Sequence, residues 1–325
     1  MKKIVAIIVV LTMVFSLCAC GSKVEEKENA YTIAIVQQLD HSSLDEIREA
    51  IEKRLEEYAH ANDVTISYQS YSGQNDATVL NQIGSEIVGD DVDMIIPIAT
   101  LAAQCMVTAA DGTDIPVVYA AASDPVTAGL TDIPIVTGTS DALNTPFILD
   151  MMFAVDSDVE CVGLLYSLSE PNSAAPIAEA KAYLEAKGIE YLEKTGNTAD
   201  EIMSAANSLV GRADAVFTPT DNTVMNVAGA VSEMLTAEGI AFYTGADSFV
   251  TAGAFTTCGV NYTELGTYTA NMALDILAGG EVGEFEVMDG GIITVNTETA
   301  AALGIDYSIF SEMANTVKEV VTAEE

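Results

Sequence analysis

From Tyr31 onward the chain keeps one rhythm, a short apolar run followed by a longer amphipathic segment, and nothing constrains its fold more. Residues 31–36 read as a strand, and 44–60, with Leu44, Ile47, Ile51, Leu55 and Tyr58 at helical spacing, as the helix after it. Further strands are predicted at 64–70, 93–99, 116–121 and 134–138, with helices over 77–89 and 101–110. The rhythm then restarts, with helices over 147–153, 174–187, 200–211 and 223–237 and strands at 161–167, 190–194, 214–218 and 241–245. A short strand region within 251–260 and a long helix over 263–278 follow, then a strand within 284–295 and a closing helical segment near 307–321. Repeated βα units build parallel sheets covered by helices on both faces, so the expected class is α/β. Two similar half-chains imply two Rossmann-like lobes.

Open parallel sheets bind ligands beyond the carboxyl ends of their strands, and two such sheets facing each other form a cleft. The polar clusters of this chain fall there. Gln37, Gln38, Asp40 and His41 follow the first predicted strand, Thr100 the third, and Ser123 and Asp124 the fourth. In the second half the matching positions are Glu170, Asn172 and Ser173, then Thr220, Asp221 and Asn222, then Asp247.

The amino terminus carries a different signal. Lys2 and Lys3 precede the apolar run Ile4–Leu11, which is shorter than the ~20 residues a spanning helix needs. A small-residue end, Leu17-Cys18-Ala19-Cys20-Gly21, follows, and the pattern is that of an export signal. Leu-x-Ala-Cys resembles a bacterial lipobox, so residues 1–20 are expected as a lipoprotein signal with Cys20 as the acylated residue. Residues 21–30, polar and without apolar periodicity, are expected as a tether. The formal charge of −37 becomes −39 once Lys2 and Lys3 leave, and such a surface repels phosphate backbones and anionic lipid. Nucleic acid is therefore excluded as a partner, and the acyl chain has to supply the membrane anchor. Cys105, Cys161 and Cys258 lie far apart in apolar surroundings without metal-ligand spacing and read as buried free thiols, a disulfide between two of them staying open.

Several short motifs, taken in order, resemble the substrate-binding lipoproteins of ABC importers, the family with members linked to tryptophan and other aromatic amino acids. They are Ile95-Ile-Pro-Ile-Ala-Thr-Leu-Ala-Ala103, Pro116 to Pro125, Thr137-Gly-Thr-Ser-Asp141, Glu170-Pro-Asn-Ser173, Thr218-Pro-Thr-Asp-Asn-Thr-Val224 and Tyr262-Thr-Glu-Leu-Gly266. The resemblance implies a type I periplasmic-binding-protein fold with three crossings between lobes, expected near Ser140, Ala254 and Met288. The implied lobes are 31–140 plus 255–287 and 141–254 plus 288–325. It also implies a small-molecule ligand, an aromatic amino acid first, delivery to a membrane permease, a monomer, and no cofactor or metal.

Each candidate has a structural reading beside its binding one. Thr100 caps a helix, and Leu101, Ala102 and Ala103 offer N–H groups at a helix start suited to a carboxylate. Asp124 forms an Asp-Pro turn or meets an ammonium group, a role for which Asp221 is favoured and Asp247 competes. Asn172 and Ser173 cap the next helix or, with Glu170, touch the ligand. Thr220 and Asn222 flank Asp221, and Gly138 and Thr139 enter through the motif that ends at Asp141. Gln37 and His41 sit at a strand end facing the expected cleft, while His60 faces solvent. Tyr262 is the preferred ring contact over Tyr119, Tyr166 and Tyr243. Catalysis is not expected: no Gly-x-Ser-x-Gly elbow, His-Glu-x-x-His or Gly-rich phosphate loop occurs, which disfavours a surface hydrolase. A binder of nucleosides or sugar-like solutes, or a ligand sensor, stays open on the same fold.

Overall fold

The structure, a computed structural model, describes residues 30–323. The expected signal with Cys20, and the tether up to residue 29, lie outside the described residues, whereas Ala30 already belongs to the first strand. The chain begins β1 (Ala30–Gln37), α1 (Ser42–Asn62), β2 (Thr65–Ser72), α2 (Ala77–Gly89), β3 (Met94–Ile98), α3 (Thr100–Ala109), β4 (Val117–Tyr119) and β5 (Val136–Ser140). It continues with α4 (Thr145–Val155), β6 (Cys161–Tyr166), a 3₁₀ turn (Pro171–Ser173), α5 (Ala174–Lys187), β7 (Glu190–Thr195), α6 (Ala199–Asn207) and β8 (Ala215–Phe217). Next come α7 (Asn222–Met225), α8 (Ala228–Ala237), β9 (Ala241–Thr244), α9 (Asp247–Thr251), β10 (Thr256–Gly259) and α10 (Tyr262–Leu277). The last elements are β11 (Glu286–Val287), β12 (Ile292–Asn296), α11 (Thr297–Leu303), α12 (Phe310–Met313) and β13 (Thr316–Val320).

Two sheets result, ordered β11-β5-β4-β3-β1-β2 and β13-β12-β10-β9-β8-β6-β7. Pairing in the first is parallel from β1 through β3, β4 and β5 to β11. The second is parallel apart from the antiparallel β10–β12 pair. Both sheets therefore repeat one order, in which the strand sequence reverses beside β1 and beside β6. Those reversals are the topological switch points where such sheets receive ligands.

Strand β3, Met94-Ile-Ile-Pro-Ile98, is buried throughout, as expected for a parallel strand covered on both faces. Leu80, Ile87, Ala102 and Met106 cover one face, and α1 and α10 the other. Gly266 lets those two helices approach, since a Cβ there would stand 2.6 Å from the Ile47 carbonyl oxygen. A single apolar cluster runs from Leu44 and Ile47 of the first lobe through Tyr262 to Val224 and Phe249 of the second.

Several expectations are corrected. The crossing expected at Ala254 lies beyond β10: Thr256 pairs with Tyr243 and Val295, so residues 255–259 belong to the second sheet and not to the first lobe. The strand expected within 284–295 is two strands, β11 on the first sheet and β12 on the second, separated by Gly290-Gly291. The helix expected over 223–237 breaks between α7 and α8, and α9 occupies the start of the expected strand region 251–260. The closing helical segment is only α12, after which β13 pairs with β12 and turns Val317 onto the core. Cys105 and Cys258 are buried and Cys161 half-buried, and all three are free thiols.

Candidate functional site

The loops after the strands of both sheets meet in a cavity between the lobes. Its volume is about 20 Å³, room for about one water, so a larger ligand enters only when the lobes part. The first lobe contributes His41, Ser43 and Leu44 after β1, Ala99 and Thr100 after β3, Ala121 and Ser123 after β4, and Asp141 after β5. The second contributes Asn172 in the 3₁₀ turn, Thr220 to Asn222 and Met225 after β8, Ala246 and Phe249 after β9, and Tyr262 after β10. Two backbone positions carry strain: Ala99 (φ 77°) and Ala121 (φ 55°) both adopt left-handed conformations, which alanine rarely takes outside functional sites.

Beyond its own backbone N–H, the Asp141 carboxylate meets hydroxyls. Ser123 Oγ donates to Oδ1 at 2.8 Å and the Tyr262 hydroxyl to Oδ2 at 3.1 Å. Burial pushes its pKa up to about 6 against these hydrogen bonds. Burial likewise raises the Tyr262 phenol, with the Asp141 charge adding to it, so Tyr262 acts as a neutral donor.

His41 is read through its neighbours. Asn222 Nδ2 donates to Glu170 at 2.9 Å, which turns Asn222 Oδ1 towards His41 Nε2, also at 2.9 Å. The imidazole is thus protonated on Nε2, and burial lowers its pKa, which keeps it neutral. Its Nδ1 is left as a buried acceptor without a partner among the described residues. Asn172 repeats the pattern: Nδ2 donates to the Thr220 carbonyl at 2.6 Å and Oδ1 is buried without a partner among the described residues. The lining therefore presents one uncompensated carboxylate and two vacant acceptors, with no Lys or Arg among its residues.

Of the residues expected from sequence, His41, Thr100, Ser123, Asn172, Thr220, Asp221, Asn222 and Tyr262 line the cavity. Asp221 does so with its oxygens already engaged, by Val224 N at 3.0 Å and by Ser167 N and Ser173 Oγ at 2.7 Å. Burial, then the Glu170 charge, raises its pKa. It caps α7 and pins the β6 loop, so its oxygens are already engaged where the ammonium role was expected of it, and Ser173 supports Asp221 instead of facing the cavity.

The other expected residues lie elsewhere. Gln37 donates to Asp45 at 3.0 Å. The Leu101 and Ala103 N–H groups are taken by Gln38 Oε1 and the Ala99 carbonyl, and the Ala102 side chain packs in the core. Asp124 closes its own turn onto Thr127 N. Gly138 gives up its Cβ to the Tyr119 carbonyl and ring, and Thr139 bonds Thr269 of α10 at 2.7 Å. Asp247 pairs with Lys318 of β13 at 3.4 Å. Tyr119 and Tyr243 are core residues, and Tyr166 bonds Glu193 on the outside of the second lobe. Glu170 bonds across the lobes without lining the cavity.

Asp141, Ser43, Leu44, Met225 and Phe249 are cavity residues that sequence reasoning missed. Asp141 carried the same signal as the residues chosen, a polar side chain just past a strand, whereas Met225 and Phe249 read as core positions in short helices.

A model of the family described as ABC transporter substrate-binding protein matches residues 32–318. The chain is 31% identical over 289 residues to a tyrosine-binding protein of Clostridioides difficile, covering 87% of this chain and 83% of the relative. It is similar to an ABC domain from Streptococcus pneumonia solved in complex with L-Trp, at 28% identity and a TM-score of 0.81, covering 89% and 99% of the two chains. The ligand-free, open structure of a substrate-binding protein with adhesive properties from Clostridium difficile is 31% identical, with a TM-score of 0.67 over 90% of this chain and all of that one. The chain belongs to the ABC transporter substrate-binding protein family and has the two-lobed type I periplasmic-binding fold.

Proposed function

We propose that this protein captures an aromatic L-amino acid in the cleft, outside the cytoplasmic membrane, and hands it to a membrane permease while tethered by a lipid on Cys20. The carrying observation is the trio of the Asp141 carboxylate, which receives only neutral donors, and His41 Nδ1 and Asn172 Oδ1, which have no partner among the described residues. An ammonium group supplies the positive charge and the N–H donors that such a lining lacks. The Thr100 hydroxyl, at the start of α3, is a donor in the lining that can meet the accompanying carboxylate. Leu44, Met225, Phe249 and Tyr262 line the rest and suit an aromatic ring. The names of the tyrosine-binding relative and of the L-Trp complex support the same ligand class. Support for the anchor comes from the lipobox-like Leu17-Cys18-Ala19-Cys20, and support for the permease from family membership.

The test is thermal melting of the soluble body, from Ser22 onward, against the twenty amino acids, nucleosides and sugars. A ligand at a hundredfold excess over its dissociation constant adds ~2.7 kcal/mol of stability. A rise confined to tyrosine, tryptophan or phenylalanine is expected. A rise with nucleosides or sugars alone overturns the ligand assignment while leaving the fold intact.

A further inference from the structure

The most heavily hydrogen-bonded carboxylate between the lobes is one that does not face the cavity. Glu170 of the second lobe accepts from Gln38 Nε2 at 3.2 and 3.1 Å and from Asn75 Nδ2 at 3.1 Å, both on the first lobe. Its own lobe adds Asn222 Nδ2 at 2.9 Å and Thr223 Oγ1 at 3.2 Å. Side-chain burial is nearly complete, at 2% exposure. The first-lobe arm is itself held in position. Gln38 Nε2 also donates to Asn75 Oδ1 at 2.7 Å, and Gln38 Oε1 receives the Leu101 N–H. Gln74 and Asn75 stand consecutively in the left-handed region, at φ 53° and 57°, a turn that brings the Asn75 amide to the interface.

We propose that Glu170 is an interlobe latch, a positioning residue that sets the open–closed equilibrium, and through it ligand affinity, without touching the ligand. The network is complete from protein atoms alone, so the latch acts before any ligand arrives and the closed form is populated in its absence. Separation of the lobes at their crossings takes Gln38 and Asn75 away from Glu170 and leaves Asn222 and Thr223 in place. A ligand that binds the closed form then binds more weakly in proportion to the closed fraction lost. Only a carboxylate satisfies this arrangement, because every group around it donates. A glutamine there turns its own NH₂ onto other donors, so Glu170→Gln is as damaging as truncation, although it preserves shape. The inference goes beyond the proposed function: it requires two lobes and does not depend on which ligand is bound.

The experiment is small-angle X-ray scattering on the ligand-free soluble body of the wild type, Glu170→Gln and Asn75→Ala. Asn75→Ala is included because it removes, from the first lobe, the Asn75 donation to Glu170 and that to Thr223 at 3.1 Å without altering a second-lobe residue, so a shift shared by both variants is not local misfolding. Wild-type scattering is expected to fit a mixture containing the closed form. Both variants are expected to move towards the open form, with the closed-to-open ratio reduced about tenfold or more. Wild-type scattering of the open form alone, or a closed share unchanged in both variants, overturns the proposal. Neither result bears on whether the ligand is an aromatic amino acid.

Discussion

The hydroxyl of Tyr262 donates to Oδ2 of Asp141 at 3.1 Å, across 121 positions of sequence. Asp141 follows β5 of the first sheet and Tyr262 follows β10 of the second, so the pair sits where the chain crosses between lobes. The cleft's uncompensated carboxylate is thereby fixed on the hinge side. Ser123, on the β4 loop, supplies its other donor.

Replacing that carboxylate has two expected effects of opposite sign. Asp141→Asn weakens aromatic amino-acid binding by about a hundredfold or more, the scale of losing one partner of a buried charge pair. The same change raises the melting temperature of the ligand-free protein at pH 7, because a buried charge without a counter-ion is removed. Calorimetric titration and thermal melting check the two halves, and normal affinity in the variant contradicts the ammonium seat.

The pH dependence follows from the same group. With its pKa at about 6 against an ordinary 3.8, folded Asp141 binds more protons than the unfolded chain between about pH 4 and 6. Its contribution to stability therefore falls as pH rises through that window, by about 3 kcal/mol in total. Ligand binding runs the other way, since an ammonium group requires the carboxylate, and affinity should drop up to about tenfold per pH unit below about 6. Asp76, Glu193 and Asp306, all held below their ordinary values by hydrogen bonds, lose stabilisation as pH falls. The readout is accordingly the difference between wild type and Asp141→Asn, and a difference that is flat from pH 4 to 7 contradicts the account.

Gly138→Ala is expected to destabilise without abolishing binding. An added Cβ meets the Tyr119 carbonyl oxygen and ring inside the sheet, and overpacking of this kind costs about 1–3 kcal/mol. Urea unfolding and calorimetry on the same preparation separate the effects. Lost binding at unchanged stability would return Gly138 to the ligand site.

Asp247→Ala is the contrasting case. The residue pairs with Lys318 and not with the cavity, and partly exposed ion pairs contribute ~0–1 kcal/mol. Affinity should stay within about twofold of wild type, and a large loss measured by calorimetry would reinstate Asp247 as an ammonium partner.

The fold was legible in the sequence because parallel strands buried on both faces leave unbroken apolar runs, as in Met94–Ile98, and because Gly188 ends α5 in a left-handed cap. Strand ends also located the cleft, since His41, Thr100 and Asn222 stand just past theirs. What sequence did not reveal was the use of each polar group. Asp221 and Asp141 look alike in a sequence; only the folded chain supplies Asp221 with three donors and leaves Asp141 with two hydroxyls. Ala99 and Ala121 gave no signal, because their left-handed backbones are imposed by surrounding structure and not by alanine. β13 was missed because an edge strand with half-exposed residues has no apolar run to betray it.

The most direct measurement is isothermal titration of the soluble body with L-tyrosine and L-tryptophan at pH 7.5, each beside the matching amine and the matching carboxylic acid. The account predicts one-to-one binding of at least one of the two amino acids, and binding at least about tenfold weaker for compounds lacking the ammonium group. Absence of heat with both amino acids, or equal affinity for the acid without its ammonium, would contradict aromatic amino-acid capture at the Asp141 seat.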